Sequence, residues 1–221
     1  MNKRFNTLRY QHSFTLTPLE VLRMNTVLNL VGEKKKNILD LGCGDGYIME
    51  LFRKKGHAVE GIEIATHAIQ KARAKGFAVY DFSLSEPWAH LVKNKYDVVF
   101  GGEIIEHIFD TDLFLKEIRS VLKPKGSVIL TTPNLAALGR RILLCIGKNP
   151  HIETTARAYD AGHVRYFMRD TLRKVLVENK FKIESLSSSV VNFNNQGTWY
   201  SERAARYFPS LGNNIIIHAI K

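Results

Sequence analysis

Residues 37–51 read NILDLGCGDGYIMEL, and this stretch decides the fold. The apolar run from Ile38 to Leu41 predicts a buried strand, and the apolar residues that follow Tyr47 recur at helical spacing. Between strand and helix lies a turn with glycines at Gly42, Gly44 and Gly46. Glycines let a backbone approach a ligand closely, and a helix N-terminus presents free N–H donors. The stretch therefore predicts a strand, a turn and a helix that hold a nucleotide-like ligand.

The composition is that of a globular protein with a strong positive charge. The chain has 221 residues, of which 45% are hydrophobic and 24% are charged, and this length suffices for a buried core. The net charge of +11 admits anionic partners such as RNA, but it also fits a solvated basic surface. No apolar run is long enough to span a membrane. Two cysteines and the lack of an apolar leader predict a reducing, cytoplasmic location.

Strands and helices alternate along the rest of the chain. Apolar runs predict strands at 37–41, 58–64, 78–80, 96–101, 127–132, 182–186 and 213–219. Helices are predicted at 18–31, 46–55, 66–75, 89–93, 112–122, 135–146 and 170–179, with N-caps at Thr17, Thr66 and Asp170. A turn is predicted at 123–126. Repeated β-α-β units predict an α/β fold: a doubly wound, mostly parallel seven-stranded sheet with helices on both faces.

We expect residues 1–221 to form a single domain with two additions. About residues 1–33 form an N-terminal helical lid, and about residues 134–170 form an insertion at the carboxyl ends of the strands, where doubly wound folds bind ligands. Three polar residues of this lid precede its helix and can fold over a ligand: Arg9, Tyr10 and His12. Four aromatic residues between the last two strands are expected to pack against the protein: Trp199, Tyr200, Tyr207 and Phe208. The sequence does not predict the oligomeric state.

The glycine turn distinguishes between classes of nucleotide. The phosphate-binding motif G-x-x-x-x-G-K-[ST] is absent, and the dinucleotide fingerprint is G-x-G-x-x-G/A. Residues 42–47 read GCGDGY, which spaces the glycines differently and places Asp45 where a pyrophosphate would approach. A carboxylate there repels a diphosphate and suits a zwitterionic ligand without phosphate.

The stretch ILDLGCGDGYIMEL resembles motif I of the class I S-adenosylmethionine-dependent methyltransferases. Four further motifs follow in the order typical of that family: GIEI, Asp81-Phe82, YDVVFGGEIIEH and LKPKGSVILTTPN. The resemblance covers residues 37–135 closely and residues 163–220 more loosely. It implies a Rossmann-like methyltransferase fold, with S-adenosylmethionine as the methyl donor and S-adenosylhomocysteine as the product.

The resemblance also implies a cofactor site. Glu63 matches the acidic residue that binds both ribose hydroxyls, since a carboxylate accepts two hydrogen bonds and a cis-diol supplies two. Asp81 and Phe82 match the pair that contacts the adenine. The cofactor-binding residues that we expect are Asp40, Gly42, Cys43, Gly44, Gly46, Glu63, Ile64, Asp81, Phe82 and Glu103.

The segment after the fourth strand carries the candidates for chemistry. Glu103, Glu106 and His107 are spaced i, i+3 and i+4, so one helical turn can direct all three to the same point. His107, with Glu106 beside it, could act as the general base, because a histidine pKa lies near neutral pH. Alternatively, a divalent cation bound here could polarise the acceptor hydroxyl. A Glu–His pair that only caps a helix is a third interpretation.

The same segment resembles those of two groups of methyltransferases. One comprises the ubiquinone-biosynthesis O-methyltransferases, and the other the small-RNA 2′-O-methyltransferases, in which a later histidine completes a metal site. His163 in GHVRYF matches that histidine, so the metal-site candidates are Glu103, Glu106, His107 and His163. The motifs also resemble those of methyltransferases that act on glycans and small metabolites, for which no metal is assumed.

We therefore favour O-methylation of a small molecule or glycan. Metal-assisted 2′-O-methylation of RNA is the alternative; the positive charge favours it, but the basic residues are scattered and no RNA-binding module is appended. A catalytically inactive cofactor-binding protein is a third possibility. The intact glycine turn and Glu63 argue against the third possibility.

Overall fold

A central sheet organises the computed structural model, which describes residues 16–153, 162–194 and 197–221. The strands are β1 (Asn37–Leu41), β2 (Ala58–Glu63), β3 (Ala78–Asp81), β4 (Tyr96–Gly102), β5 (Leu122–Pro133), β6 (Lys182–Ser187), β7 (Val191–Asn192), β8 (Tyr200–Ser201) and β9 (Asn214–Ile220). The α-helices are α1 (Pro18–Val31), α2 (Tyr47–Lys54), α3 (Thr66–Ala74), α4 (Thr111–Val121), α5 (Leu138–Cys145), α6 (Arg169–Glu178) and α7 (Glu202–Tyr207). Short 3₁₀ turns lie at Ala89–Leu91, Ile105–His107 and Pro209–Leu211.

Seven strands form one sheet in the order β3-β2-β1-β4-β5-β9-β6. Neighbours from β3 to β5 pair in parallel, whereas β9 runs antiparallel to both β5 and β6. Strand order reverses between β1 and β4, which is the point at which doubly wound sheets bind ligands. The predicted fold class is therefore confirmed, and the glycine turn after β1 lies at this switch point.

One face of the sheet is covered by α1 and α2. Met24, Val27 and Val31 of α1 are buried in a core that includes Ile38 of β1 and Phe52 of α2. Helix α1 begins with the expected cap, because the Thr17 side chain accepts from Glu20 N while Glu20 Oε2 accepts from Thr17 N at 2.7 Å. This packing places α1 beside the glycine turn.

The opposite face is covered by α4 and α6. Phe114 of α4 and Leu172 and Leu176 of α6 lie in a second core with Leu39 of β1. Ile38 and Leu39 therefore face opposite sides of the sheet, as successive strand residues must. Helices on both faces explain why Ile38, Leu39 and Leu41 of β1 are all apolar and buried.

Several local predictions were wrong. Ala65, not Thr66, is the N-cap of α3, and Met168, not Asp170, is that of α6, where the Thr171 hydroxyl accepts from Met168 N at 2.9 Å. The helix expected at 89–93 is a 3₁₀ turn. The turn expected at 123–126 is a bulge within β5, with Lys125 at φ 62°.

The four aromatic residues between β6 and β9 are exposed, Tyr200 least at 39%, which corrects the expectation that they pack against the protein. Trp199, Tyr207 and Phe208 are 66%, 75% and 62% exposed. They lie on the small β7–β8 hairpin and on α7, outside the central sheet. The rings of Phe193 and Trp199 contact each other at 5.1 Å instead of the core.

The predicted insertion leaves and rejoins the sheet at one place. Asn134 and Phe167 form a parallel bridge, and Leu135 N donates to Phe167 O at 2.9 Å. The proposed lid residues Arg9, Tyr10 and His12 lie outside the described residues. Among the helices that the structure describes, none is long and apolar enough to cross a membrane.

Candidate active site

The glycine turn needs its glycines. Gly42, Gly44 and Gly46 have φ of 70°, 55° and 80°, a left-handed conformation that side chains disfavour. A Cβ on Gly42 would lie 3.1 Å from the Ile104 side chain, and one on Gly46 would lie 3.1 Å from Phe77. The turn therefore has both a conformational and a steric reason for its composition.

Glu63 holds the turn from the adjacent strand. Its Oε2 accepts from Gly44 N at 3.0 Å, and its Oε1 accepts from Ile64 N at 2.7 Å and Ala65 N at 2.8 Å. The residue is only 5% exposed. A carboxylate offers about four acceptor positions, so roughly one remains on Oε2 for a ligand.

Asp45 occupies the N-terminus of α2. Its Oδ1 accepts from Tyr47 N at 3.1 Å, and its Oδ2 lies 3.8 Å from Lys75 Nζ. The chain's own carboxylate thus takes the position in which a helix N-terminus would bind a phosphate. This geometry supports the interpretation that the ligand carries no diphosphate.

A cavity of about 410 Å³ opens beside the turn. Of the predicted cofactor residues, it is lined by Asp40, Gly42, Cys43, Gly44, Glu63, Ile64, Phe82 and Glu103. Gly46 and Asp81 are not part of its lining; Gly46 packs against α3, and Asp81 is exposed at the end of β3. The predicted catalytic residue His107 and the predicted metal ligand His163 line the same cavity.

Other residues that line the cavity were not predicted individually from the sequence, although those of α1 lie within the expected N-terminal lid, about residues 1–33. Four of them lie on α1 or just before its cap: Leu16, Glu20, Arg23 and Met24. Three lie in the loop after β3: Ser83, Leu84 and Ser85. The loop residues follow directly after Phe82, so the family motif pointed to their neighbourhood. No local signal marks the α1 residues, because they reach the cavity only through packing of α1 on the sheet.

Asp40 is a buried carboxyl group at the base of the cavity. Burial raises its pKa well above the usual range, and the charge of Glu63 raises it further. Within the described part of the chain, its Oδ2 has no hydrogen-bond partner. An unsatisfied acceptor here fits a ligand that brings donors, such as the ammonium group of a zwitterion.

Glu103 is held between a helix and a strand. Its Oε1 lies 3.0 Å from Arg23 Nη1 and accepts from the Thr131 hydroxyl at 3.0 Å. The residue has φ of 53°, and its backbone N–H donates to Thr131 O at 2.9 Å. This ion pair connects α1 to the end of β4 across the cavity wall.

Three of the four predicted metal ligands come together. Ligand atoms of Glu106, His107 and His163 all lie within 4.8 Å of one another. Glu103 is not in this group, because its carboxylate is directed to Arg23. The segment that contains His163 is fixed by Val164 N and Arg165 N, which donate to Glu106 O at 2.9 and 3.1 Å.

The orientation of His107 follows from its backbone contact. Its Nδ1 lies 3.0 Å from Gly162 O, and since a carbonyl can only accept, Nδ1 carries the proton. Nε2 is then the basic nitrogen. The neighbouring His163 places Nδ1 3.3 Å from Glu153 Oε1 and Nε2 3.9 Å from Glu106 Oε1.

Glu106 is a carboxyl group held in an apolar setting. Burial raises its pKa to about 8, and the charge of Glu103 acts in the same direction, while the nearby Thr132 hydroxyl and the Arg23 guanidinium oppose the shift. Neither oxygen has a hydrogen bond of good geometry in the part of the chain that the structure describes. The two oxygens of this buried carboxyl group can be satisfied either by a proton that they share or by a bound cation.

These features can be set beside known proteins. A family model described as a methyltransferase domain matches residues 19–186, well over half of the chain. The chain belongs to the methyltransferase domain family. The resemblance of the glycine turn and its companion motifs to the class I S-adenosylmethionine-dependent methyltransferases is thereby confirmed.

Two curated relatives of this methyltransferase carry the name ubiquinone biosynthesis O-methyltransferase. The protein of Pelagibacter ubique is 34% identical over 104 residues, which cover 46% of this chain and 43% of that protein. The protein of Bartonella bacilliformis is 29% identical over 159 residues, which cover 66% of this chain and 60% of that protein. The chain thus spans about half the length of the curated relatives that it matches.

A solved structure shows the same fold as this methyltransferase. Magnesium protoporphyrin IX methyltransferase from Synechocystis PCC 6803, solved with bound S-adenosylhomocysteine, superposes with a TM-score of 0.62. The match covers 98% of this chain and 93% of that chain at 17% identity. At this identity the comparison supports the fold.

Replacing Glu106 with Gln is expected to stabilise the metal-free methyltransferase at alkaline pH. Because the folded pKa of about 8 exceeds the ordinary value of 4.5, the folded protein keeps a proton that the unfolded chain releases. The contribution of this group to the free energy of unfolding is therefore fully present at acidic pH and lost as the pH rises toward 8. Glu106→Gln cannot ionise, so it should gain a few kcal/mol over wild type at about pH 9 and nothing at about pH 4.

Urea unfolding with a chelator present measures this difference at both pH values. Glu178→Gln is the control, since Glu178 has a 60% exposed side chain on the surface of α6. If Glu106→Gln raised the free energy of unfolding equally at the two pH values, Glu106 would have an ordinary pKa.

Proposed function

We propose that the protein transfers the methyl group of S-adenosylmethionine to a hydroxyl oxygen of a small molecule. The observation that carries the proposal is that one cavity is lined both by the glycine turn with Glu63 and by His107 with His163. The ubiquinone biosynthesis O-methyltransferase relatives support a small-molecule acceptor over RNA. They equally favour an active enzyme over a protein that only binds cofactor.

The residues of the cavity fit the cofactor in chemical terms. The open acceptor position on Glu63 Oε2 would take one ribose hydroxyl, and the second hydroxyl must share or displace one of the three backbone contacts. Phe82 would contact the adenine, whereas the exposed Asp81 is placed less well for this role than its motif implies. Asp40 and Glu103 would face the amino acid end. The bound cofactor supplies an electrophilic methyl group on a sulfonium.

The chain's own residues then prepare the acceptor. His107 Nε2 would take the proton of the acceptor hydroxyl, so that the oxygen could accept the methyl group as its bond to sulfur breaks and S-adenosylhomocysteine leaves. The Gly162 carbonyl keeps the imidazole in the tautomer that leaves Nε2 basic. Helix α1 and the described residues 134–153 and 162–170 form a cover that positions the acceptor and excludes water. We place the enzyme in the cytoplasm, in line with its two free cysteines, Cys43 and Cys145.

A divalent cation at Glu106, His107 and His163 is the alternative to a free general base, because His107 Nε2 cannot bind an ion and accept a proton at the same time. The three ligand atoms lie close enough for one ion, and Glu106 is otherwise unsatisfied. One carboxylate with two imidazoles is a donor set that suits Zn²⁺ better than Mg²⁺. A cation there would lower the pKa of an acceptor hydroxyl.

Calorimetric titration of the chelator-treated protein with Zn²⁺ is expected to show one bound equivalent in wild type. His163→Ala should weaken binding at least about tenfold, because it removes one of three ligands. His67→Ala is the control, since His67 is exposed on α3. If wild type binds neither Zn²⁺ nor Mg²⁺ and chelators leave activity unchanged, the cation is excluded and His107 works alone.

The reaction itself is tested with labelled S-adenosylmethionine and a panel of acceptors. Phenols, catechols, hydroxy acids, sugars and a short RNA are incubated with wild type, and transfer of label to each is measured. We expect label on a hydroxylated small molecule. Label on RNA alone would overturn the proposed acceptor class, and failure to bind S-adenosylhomocysteine would overturn the proposed activity.

A further inference from the structure

A second cavity adjoins the cofactor cavity. It has a volume of about 310 Å³ and lies between α1, the start of α5 and the segments around β7 and β9. Arg23, Glu103 and Pro133 line both cavities, so the Arg23–Glu103 ion pair forms part of the wall between them. A molecule in this second cavity would therefore lie next to the proposed site of methyl transfer.

The second cavity carries excess positive charge. Its charged lining, within the described ranges, consists of Arg23, Arg140 and the single carboxylate Glu103, which already pairs with Arg23. Arg140 donates to the Asn134 carbonyl at 3.3 Å, and no carboxylate lies within ion-pair distance of it in the described chain. Burial lowers the pKa of the Arg140 guanidinium, and Tyr166 and Glu103 only oppose this shift. A half-buried guanidinium without a counter-ion is a binding group for a carboxylate or phosphate.

Further polar groups face the same space. Helix α5 begins after Ala137, which provides no side-chain cap, so the first-turn N–H groups lack a side-chain acceptor there, and Ala137 and Gly139 line the cavity. Asn192 Oδ1 is buried without a partner among the described residues. The cavity therefore has hydrogen-bond donors that can bind an anion and, in Asn192 Oδ1, an acceptor that can bind a hydroxyl group.

We propose that this second cavity binds the acceptor, and that the acceptor is a small hydroxylated molecule with an anionic carboxylate or phosphate group held by Arg140. This inference rests on the proposed function, because it assigns the methyl acceptor to the space next to the cofactor cavity. It narrows the acceptor class from small molecules in general to anionic ones. Arg140 acts here as a specificity residue and takes no part in proton transfer.

Three substitutions on α5, one of them a control, test the site without touching the cofactor cavity. Arg140→Gln removes the proposed anion contact, and Arg141→Gln removes the same charge from an exposed neighbour outside the cavity. Gly139→Leu fills the cavity: a Cβ on Gly139 would meet no atom within 4 Å, so the helix should accept the side chain. Because Leu is also the better helix former, this variant is expected to fold.

Calorimetry with S-adenosylhomocysteine bound compares three probes: 3,4-dihydroxybenzoate, catechol and inorganic phosphate. Wild type is expected to bind 3,4-dihydroxybenzoate or phosphate at least about tenfold more tightly than catechol, in line with the strength of a charge-assisted contact. Arg140→Gln should lose this preference and Gly139→Leu should lose binding, whereas Arg141→Gln should resemble wild type. Binding of dihydroxybenzoate without phosphate would identify a carboxylate site, and the reverse a phosphate site.

The outcomes separate this inference from the proposed function. If wild type binds S-adenosylhomocysteine but shows no preference for the anionic probes, the anionic acceptor is excluded while methyl transfer stands. Equal effects of Arg140→Gln and Arg141→Gln would likewise overturn the site, because they would reflect net charge alone. Loss of S-adenosylhomocysteine binding in wild type would instead remove the proposed function itself.

Discussion

Glu63→Ala is expected to weaken S-adenosylhomocysteine binding by about 10²-fold or more. Hydrogen bonds to a charged group are worth about 1.5–3 kcal/mol each, and the substitution removes the proposed ribose acceptor, a carboxylate that is only 5% exposed. It also releases the Gly44 amide, so the glycine turn loses one of its ties to β2, while Gly42 N and Cys43 N still donate to Ile62 O. Isothermal calorimetry of wild type and variant measures the change, and equal affinities would show that the ribose assignment is wrong.

Asp97→Ala is the matched control for this experiment. Asp97 also accepts from a backbone amide, that of Asn37, and pairs with Lys123, but it lies at the opposite end of the strands. We expect the control to lose stability without losing cofactor affinity. A similar drop in affinity for both variants would attribute the Glu63 effect to general unfolding.

His107→Ala is expected to reduce the rate of methyl transfer by about 10²–10⁴-fold, which is the usual contribution of a general base. Binding of S-adenosylhomocysteine should change little, because the proposed contacts of the cofactor lie on Glu63, Phe82 and Asp40. Single-turnover transfer of label to the acceptor found in the screen measures the rate. His90→Ala, on the exposed 3₁₀ turn after β3, is the control.

The pH dependence of the same reaction shows whether His107 acts as a general base or only positions other groups. Wild type should lose rate as the pH falls through the pKa of its base, and His107→Ala should lose that dependence. Added imidazole should restore part of the activity of the variant. A decrease smaller than tenfold, with an unchanged pH profile, would contradict the assignment of His107.

The strands and most helices could be predicted because their signals are local. The alternation of apolar runs determined β1 and α1, whose bounds match the prediction residue for residue. Caps were less predictable, since Thr66 and Asp170 are good capping residues that lie one or two positions inside helices whose starts are set by packing. Trp199 and Tyr207 were misjudged because hydrophobicity alone does not show whether a small hairpin reaches the core.

The residues of the candidate site likewise divide into those that the local sequence predicts and those whose position depends on packing. Glu63 and Asp45 could be placed from their distance to the glycine turn, because strand and turn geometry fix them. His163 required the family resemblance, since 56 residues separate it from His107 along the chain. The fold brings the two together through the bridge between Asn134 and Phe167 and through the amides after His163, which donate to Glu106 O. Arg23 and Arg140 left no signal, because their roles depend on how α1 and α5 pack against the sheet.

The hydrogen bond from Gly44 N to Glu63 has a consequence for how quickly S-adenosylmethionine binds and at what entropic cost. Because the turn is already ordered in the ligand-free protein, its backbone entropy is lost during folding and not during association. We therefore expect cofactor association without a slow loop-closure phase on this side of the cavity. Product exchange should instead depend on motion at the other wall, where α1 is held to β4 by the Arg23–Glu103 pair.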